Sequence, residues 1–170
     1  MVIKAHIRDV PDFPQSGILF RDITPLLKSP DAFADVIDRF AERYADQEIG
    51  AIVGIEARGF LFAAPLALRL GKPFVPVRKE GKLPFRTIKL NYSLEYGQSA
   101  VEVHTDAINK GQRVLILDDL LATGGTLAAT AKLIEKTGGV VAGVAVVIEL
   151  ADLKGRDVLE GYDVLSLVTY

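Results

Sequence analysis

The sequence predicts an α/β fold in which a central, mostly parallel sheet carries helices on both faces. Short apolar runs bounded by turn residues, typical of buried strands, alternate along the chain with amphipathic segments at helical spacing. The chain has 170 residues, of which 49% are hydrophobic and 25% charged, the proportions of an ordinary globular domain. We therefore expect residues 1–170 to form a single domain.

Composition and charge exclude several classes of function. Lys and Arg number 20 against 22 Asp and Glu, so the chain lacks the basic character of a nonspecific nucleic-acid binder. Cysteine is absent, which rules out disulfide scaffolds, cysteine zinc sites and thiol nucleophiles. No apolar stretch reaches the ~20 residues that a membrane helix needs, and the first residues do not resemble a signal peptide. We expect a cytoplasmic protein with no nucleic-acid or membrane partner.

Residues 1–28 are predicted to form an irregular arm with at most short helical turns, because prolines at positions 11, 14 and 25 interrupt them. Ser29 and Pro30 then have the residue types of a helix N-cap and a first helical position. Apolar residues at helical spacing continue this helix to about Tyr44.

Strands and helices are predicted to alternate after this point. A turn at 56–59 leads into a helix over 60–70, which Gly71 closes and which Pro65 either bends or starts. A second helix is predicted over 126–136. Strands are predicted over 49–55, 74–77, 113–117, 140–150 and 163–168. Between them, residues 79–94 are predicted to form a mobile lid, flanked by a hairpin of 89–94 with 100–104.

The segment from Val114 to Thr126 is the most informative for function. Asp118 and Asp119 end a buried strand, where two adjacent carboxylates repel each other and resist desolvation, so we expect them to bind hydroxyl groups rather than to stabilise the fold. The residues that follow open a helix with glycine-turned N–H groups and threonine hydroxyls: Ala122, Thr123, Gly124, Gly125 and Thr126. An acidic pair beside such an anion pocket is what a ribose 5-phosphate requires.

Two rival phosphate motifs are missing. No Lys follows the glycines, as a Walker loop requires, and no two glycines of the chain are separated by a single residue, as a dinucleotide fingerprint requires. Nucleoside triphosphatase and dehydrogenase activities are therefore not predicted.

The string from Asp118 to Thr126 resembles the signature of the type I phosphoribosyltransferases, most closely the branch that acts on adenine. Four further segments agree, in the order of the family: 17–25, 54–60, 78–84 and 92–97. The resemblance implies the family fold, with an N-terminal hood over the base and a flexible hairpin lid. It also implies transfer of the phosphoribosyl group from phosphoribosyl pyrophosphate to adenine, giving AMP and pyrophosphate, with Mg²⁺ held mainly by the substrate and a homodimer as the assembly.

The same resemblance assigns roles to single residues. Arg58 and Glu95 are implied as catalytic, Arg58 by balancing the charge of the departing pyrophosphate and Glu95 by handling the proton of the base. The pyrophosphate ligands implied are Arg58, Arg78, Lys79, Lys82 and Tyr96. The adenine site implied consists of Leu19, Phe20, Arg21 and Leu120.

Other interpretations of these residues stay open at this point. Arg58 could be a surface arginine, the basic run from Arg78 to Lys82 a solvated loop, and Leu19 and Phe20 part of the core. The acceptor could be a 6-oxopurine, or the chain could be a regulator that senses phosphoribosyl pyrophosphate and binds nucleic acid. Contacts of residues 85–89 are not predicted, and both histidines are expected to be structural.

Overall fold

A seven-stranded sheet forms the centre of the protein, whose computed structural model describes residues 2–94 and 97–170. The strands of the chain are β1 (Arg8–Pro11), β2 (Leu19–Asp22), β3 (Ala51–Ile55), β4 (Phe74–Lys79), β5 (Thr87–Leu94), β6 (Gly97–His104), β7 (Arg113–Leu121), β8 (Val140–Glu149) and β9 (Val164–Thr169). The helices are α1 (Thr24–Lys28), α2 (Pro30–Tyr44), α3 (Gly59–Leu70) and α4 (Gly125–Lys136). Short 3₁₀ turns cover Ile3–His6, Ala151–Leu153 and Asp157–Leu159.

The strand order in the central sheet is β5-β6-β4-β3-β7-β8-β9. The five strands from β4 to β9 in this order are parallel, while β6 runs antiparallel to β4 and β5 antiparallel to β6. The predicted α/β class with a mostly parallel sheet is therefore confirmed. Because β3 and β7 are parallel neighbours, their carboxyl ends lie side by side at one edge of the sheet.

Helices cover both faces of the sheet, as predicted. On β7, Leu115 and Leu117 point into the core beneath α2 and α3, whereas Val114 and Ile116 point into the core beneath α4. Since alternate side chains of one strand serve two cores, β7 is buried on both faces. This burial explains why its sequence is a continuous apolar run.

The predicted helices have the predicted ends. The Oγ of Ser29 accepts a hydrogen bond from the N–H of Ala32 at 3.4 Å, and α2 begins with Pro30. Gly71 closes α3 in the left-handed region, with φ of 63°. α3 begins at Gly59, so Pro65 lies inside that helix and does not start it.

The N-terminal arm is more regular than the sequence predicts. β1 and β2 pair as an antiparallel ribbon in which Arg8 lies opposite Asp22 and forms an ion pair with it at 2.6 Å. Strands of four residues give too short a pattern to be read from alternation, and a proline is tolerated at the end of an edge strand such as β1. The prediction of an irregular arm over residues 1–28 is therefore wrong for the two strands, whereas α1, of five residues, is one of the short helical turns that it allows.

The segment predicted as a lid also contains more regular structure than expected. Residues 87–94 form a regular strand paired with β6 along its whole length, so only residues 80–86 lack regular structure within the proposed 79–94 lid. The hairpin predicted over 89–94 and 100–104 is present and extends over β5 and β6. The β-branched and aromatic residues of β5 lie among Lys and Asn, which hides the first two residues of the strand in the composition. No helix within residues 2–94 and 97–170 has the length and apolar character that crossing a membrane requires.

Candidate active site

The carboxyl ends of β3 and β7 bring together the two turns that the sequence singles out. Gly59, which follows the turn after β3, lies directly against β7: a Cβ added to it would be 2.8 Å from the Leu117 carbonyl oxygen and 3.0 Å from Oδ1 of Asp118. Any larger residue would push the two turns apart. The glycine of this turn is therefore needed for close approach rather than for an unusual φ angle.

β7 continues to Leu121, past its predicted end at 117, and carries Asp118 and Asp119 as an acidic pair within its last four residues, Asp118 being partly buried. The backbone N–H of Asp119 donates to Oδ1 of Asp118 at 2.8 Å, and Asp119 is only 3% exposed. Burial, followed by the neighbouring carboxylate of Asp119, raises the pKa of Asp118 well above its ordinary value. Burial also raises the pKa of Asp119, although the guanidinium of Arg58 opposes this shift. Such a pair is costly for the fold, as expected of groups kept for binding.

The turn after β7 encloses a cavity of about 100 Å³. Gly124 has a φ of 83° and directs the chain into α4, whose first N–H groups have no partner within the helix. All five predicted phosphate-binding residues line this cavity, together with Asp118 and Leu120: Ala122, Thr123, Gly124, Gly125 and Thr126. The structure therefore joins Asp118 and the predicted anion pocket in one place, whereas Asp119 does not line this cavity and pairs with Arg58.

A second cavity of about 140 Å³ has Asp118 and Thr126 in common with the first. Its other lining residues come from the carboxyl ends of β3 and β4 and from the facing sides of β5 and β6: Ile55, Glu56, Val77, Arg78, Lys79, Tyr92 and Val101. The hydroxyl groups of Tyr92 and Thr126 lie 3.1 Å apart and form a hydrogen bond. Two of the predicted pyrophosphate ligands, Arg78 and Lys79, thus lie beside the phosphate turn.

Glu56 is a site residue that the sequence does not single out. Its Oε1 accepts hydrogen bonds from Nη2 of Arg78 at 3.1 Å and from Nζ of Lys82 at 2.8 Å, and its Oε2 accepts the backbone N–H of Lys79 at 3.0 Å. Burial would raise the pKa of Glu56, but these three donors outweigh it and lower the pKa to about 2. All three basic residues predicted to bind pyrophosphate beyond Arg58 therefore meet at this one carboxylate.

The segment 80–86 is fastened to β6 by two further residues. Glu102, which is 4% exposed, accepts the backbone N–H groups of Lys82 at 3.2 Å and of Leu83 at 3.1 Å. Nε2 of His104 accepts the N–H of Phe85 at 3.3 Å, and the two rings pack edge to face. His104 therefore has a structural role, as expected. Lys89, whose contacts the sequence leaves open, forms an ion pair with Glu80.

Arg58 connects the acidic pair to the N-terminal arm. Its Nε lies 2.9 Å from Oδ2 of Asp119 in an ion pair, while that oxygen is buried and accepts no hydrogen bond. The guanidinium carbon of Arg58 lies 5.5 Å from the centre of the Phe20 ring. The peptide bond between Glu56 and Ala57, just before Arg58, is cis. Arg58 is thus held by site residues on two sides and is not a solitary surface arginine.

The arm presents the predicted base-site residues on β2. Leu19 is 46% exposed and so is not a core residue, whereas Phe20 packs edge to face against Phe13 and lines a cavity of about 220 Å³ with it. Arg21 forms an ion pair with Asp9. Leu120, the fourth predicted residue, lines the first cavity. Among the described strands β2 pairs with β1 alone, so the N–H and C=O groups along its other side have no strand partner there.

Two predicted site residues, Glu95 and Tyr96, lie outside the described residues. Within the described ranges, no group of three or more His, Asp or Glu side chains could hold a metal ion.

Known proteins resemble the chain over its whole length. The family described as "Phosphoribosyl transferase domain" matches residues 23–167. Adenine phosphoribosyltransferase from Kosmotoga olearia is 54% identical over 170 residues, which is 100% of both chains. The crystal structure of adenine phosphoribosyltransferase from Thermoanaerobacter pseudethanolicus superposes with a TM-score of 0.96 at 53% identity, covering 99% of this chain and 98% of that chain.

A third relative was solved with ligands. The adenine phosphoribosyltransferase of Saccharomyces cerevisiae, complexed with adenine and an imino-altritol bisphosphate, superposes with a TM-score of 0.92 at 43% identity. The match covers 97% of this chain and 96% of that chain.

Proposed function

The chain belongs to the phosphoribosyltransferases, in the group that acts on adenine. We propose that phosphoribosyl pyrophosphate binds across the two cavities on either side of Asp118, with one part of the donor in each cavity. The enzyme transfers the 5-phosphoribosyl group from that donor to adenine and releases AMP and pyrophosphate, a reaction of purine salvage. The observation that supports this mode of binding is that the acidic pair, the phosphate turn and the basic cavity meet near the end of β7.

The ribose 5-phosphate half of the donor fits the first cavity. The carboxylates of Asp118 and Asp119 would accept hydrogen bonds from the ribose hydroxyls, which would offset part of the cost of burying two neighbouring anions. The 5-phosphate would bind in the turn, where N–H groups at the start of α4 and the hydroxyls of Thr123 and Thr126 converge. Ala122, Gly124 and Gly125 supply backbone groups to the same turn.

The pyrophosphate half fits the second cavity and its basic rim. Glu56 holds the charged groups of Arg78 and Lys82 near the cavity before the donor binds, and it fixes the backbone of Lys79 through its N–H. Breaking the bond at C1′ builds negative charge on the departing pyrophosphate, and fixed cations stabilise that charge without reorganising. Arg58 would contribute from the opposite side, between Asp119 and the arm, and Tyr96 is proposed as a further donor.

Adenine is proposed to bind beneath the N-terminal arm. Backbone groups of Leu19 and Arg21 on the unpaired side of β2 would contact the edge of the base, and Leu19, Phe20 and Leu120 would supply apolar walls. Arg58 already contacts Phe20, so the arm and the acidic pair are linked through it. Glu95 is proposed to take up the charge of the proton that adenine loses.

Mg²⁺ is proposed as the cofactor. The described residues lack a cage of carboxylates, and Asp118 lies at the wall between the cavities, where donor oxygens would carry most of the coordination. When bound, the cation neutralises part of the pyrophosphate charge.

We also propose a homodimer in the cytoplasm. α2 and α3 leave between them an apolar groove of about 450 Å³, and Leu68 beside it is 86% exposed. An exposed apolar face of this kind suits an interface with a second copy. Sedimentation of the purified protein would test the dimer, and fractionation of cells would test the location.

The decisive experiment follows the conversion of adenine to AMP by ultraviolet absorbance, with and without Mg²⁺. We expect turnover that requires phosphoribosyl pyrophosphate and falls sharply when a chelator removes the cation. Hypoxanthine and guanine are offered in competition with adenine. Preference for either of these bases, or tight donor binding without any AMP, would contradict the proposed function.

A further inference from the structure

The segment between β8 and β9 forms the floor beneath the phosphate turn. Gly155 is buried there although its neighbours Lys154 and Arg156 are exposed. A Cβ added to Gly155 would lie 2.2 Å from the carbonyl oxygen of Ala122, and a Cβ added to Gly124 would lie 2.5 Å from the carbonyl oxygen of Gly155. The two backbones therefore touch without any side chain between them.

Arg156 fastens this floor to the ends of two strands. Its Nε and Nη2 donate to the two carboxylate oxygens of Glu149 on β8, both at 2.7 Å. Its Nη1 donates to the carbonyl oxygen of Val164 at 2.9 Å, and its Nη2 also donates to Oγ of Ser166 at 3.2 Å, both on β9. A bidentate pair with two further bonds fixes the orientation of the guanidinium as well as its position.

The anchor itself is firm. The side chain of Glu149 is only 9% exposed, and Oγ of Ser166 donates to its Oε2 at 2.6 Å. Hydrogen bonds from Arg156 lower the pKa of Glu149, so this carboxylate is ionised at neutral pH. The next residue, Leu150, donates its N–H to the carbonyl oxygen of Leu121 at 2.9 Å, directly before the phosphate turn. Glu149 therefore lies beside Leu121, the last residue of β7 before the phosphate turn.

We propose that Arg156 is a positioning residue for the phosphate turn: bound to Glu149 and Ser166, it holds Gly155 against Ala122 and Gly124 and so keeps the N–H groups of the turn aimed at the 5-phosphate. This inference rests on the proposed function, because the ligand of the turn is taken to be the 5-phosphate of the donor. Arg156 does not touch the substrate and acts only through Gly155.

A positioning role and a purely structural role differ in what they change. The 5-phosphate keeps the same contacts in the ground state and the transition state, so loosening the turn weakens binding of the donor and leaves kcat nearly unchanged. Binding of pyrophosphate alone, which lies in the other cavity, is unaffected. A purely structural role lowers the thermal stability without separating these quantities.

The test compares Arg156→Ala and Arg156→Lys with Asp152→Ala, a control that removes an exposed charge from the same segment. We expect Arg156→Ala to raise KM for phosphoribosyl pyrophosphate and Kd for ribose 5-phosphate roughly tenfold, the effect of losing hydrogen bonds to a charged group. KM for adenine, Kd for pyrophosphate and kcat should stay within about twofold. Arg156→Lys keeps the positive charge but lacks the planar pair of donors, so its KM and Kd values should lie between those of Arg156→Ala and the unaltered protein.

If Arg156→Ala does not fold, Ser166→Ala and Glu149→Gln take its place in the comparison as the anchor variants. Each of them removes only part of the contacts among Arg156, Glu149 and Ser166. Equal Kd values for ribose 5-phosphate in the anchor variants and the control would overturn the inference while leaving the proposed function intact. If the unaltered protein itself fails to bind ribose 5-phosphate in calorimetry, the proposed function fails instead. Equal weakening of ribose 5-phosphate and pyrophosphate binding would show a general structural role and also overturn the inference.

Discussion

Nζ of Lys82 lies 2.8 Å from Oε1 of Glu56, so a cation from the segment 80–86 is tied to a carboxylate at the end of β3. The guanidinium of Arg78 shares the same oxygen. Two basic side chains four positions apart in the sequence thus share one carboxylate at the second cavity. The acid stability of the protein should depend on this anion.

Glu56→Gln should flatten the dependence of stability on pH at the acid end. The pKa of Glu56 in the folded protein is about 2, below its ordinary value of 4.5. The ionised group therefore stabilises the fold above pH 4.5, and this contribution is lost as the pH falls from 4.5 towards 2. As the pH falls, we expect the unaltered protein to lose on the order of 1–2 kcal/mol of its free energy of unfolding through Glu56, and the variant to lose none of it. The loss is no larger because Lys82 and Arg78 are partly exposed and solvent screens the ion pairs. Urea unfolding from pH 7 to pH 3 measures this loss, and identical curves for both proteins would contradict it.

Asp118→Asn should make the protein more stable and less active. The pKa of Asp118 is raised in the folded state, so the ionised carboxylate destabilises the fold at neutral pH, and the cost disappears as the pH falls and the group is protonated. The amide keeps an oxygen for the N–H of Asp119. We expect a gain of about 1 kcal/mol in the free energy of unfolding, with a clear loss of kcat/KM for the donor.

The matched control for this prediction is Asp119→Asn. Asp119 has Arg58 as an ion-pair partner at 2.9 Å, so its neutralisation loses an attraction that Asp118 does not have to the same extent. Chemical unfolding at pH 7 should separate the two variants. Equal gains in the free energy of unfolding would contradict the prediction that Arg58 stabilises Asp119 more than Asp118.

Arg58→Ala should reduce kcat/KM by roughly 100- to 1000-fold, as expected when one fixed group that stabilises transition-state charge is removed. The reference variant is Arg69→Ala, which removes an exposed arginine and its ion pair with Asp38 from α3, the helix that follows Arg58. Steady-state kinetics with varied donor would measure both variants. A value near that of the unaltered enzyme for Arg58→Ala would remove the role assigned to this residue.

Gly124→Ala and Gly125→Ala should differ strongly in stability although the residues are adjacent. At Gly124 the new Cβ would combine a φ of 83° with a 2.5 Å approach to a carbonyl oxygen, whereas at Gly125 the nearest atom is 3.9 Å away. We expect a loss of at least about 2 kcal/mol for the first variant and less than about 1 kcal/mol for the second. Urea unfolding of the two variants is the measurement, and equal losses would be inconsistent with this geometry.

Glu95→Gln should slow the chemical step and leave donor affinity nearly unchanged. The proposed role of Glu95 is to manage the proton that adenine loses, which affects the transition state rather than the binding of phosphoribosyl pyrophosphate. Single-turnover kinetics and calorimetry with the donor separate these quantities. A weaker affinity with unchanged kcat would assign the residue to donor binding instead.

The features that the sequence predicts well are those with strong local signals. The buried apolar run ending in Asp118 is typical of a strand covered on both faces, and Gly71 marks the end of α3 by residue type alone. β1 and β2 escape prediction because their stability depends on pairing with each other across a turn, which such short patterns do not reveal. The hairpin of β5 with β6 is predicted over 89–94 and 100–104, and only its extension to Thr87 and Gly97 is missed.

In the candidate site, too, some residues can be predicted from the sequence and others cannot. The phosphate turn is contiguous in sequence, so its residues can be named from the order of the amino acids alone. Glu56 and Gly155 cannot, because their importance comes from what the fold places beside them: basic groups 22 to 26 positions away for Glu56, and the Ala122 carbonyl for Gly155. A glycine between Lys154 and Arg156 is a visible signal, but only tertiary contact explains it.

The position of β7 in the sheet has a consequence for how the site behaves under stress. β7 is the third strand from one edge and Val114 to Leu117 on it are fully buried, so its amide protons should exchange with solvent only on global unfolding. β5 is an edge strand, and the segment 80–86 beside it opens at lower cost. Heat or a protease should therefore release Lys82 from the site first and spare the carboxylates of β7 until the domain melts.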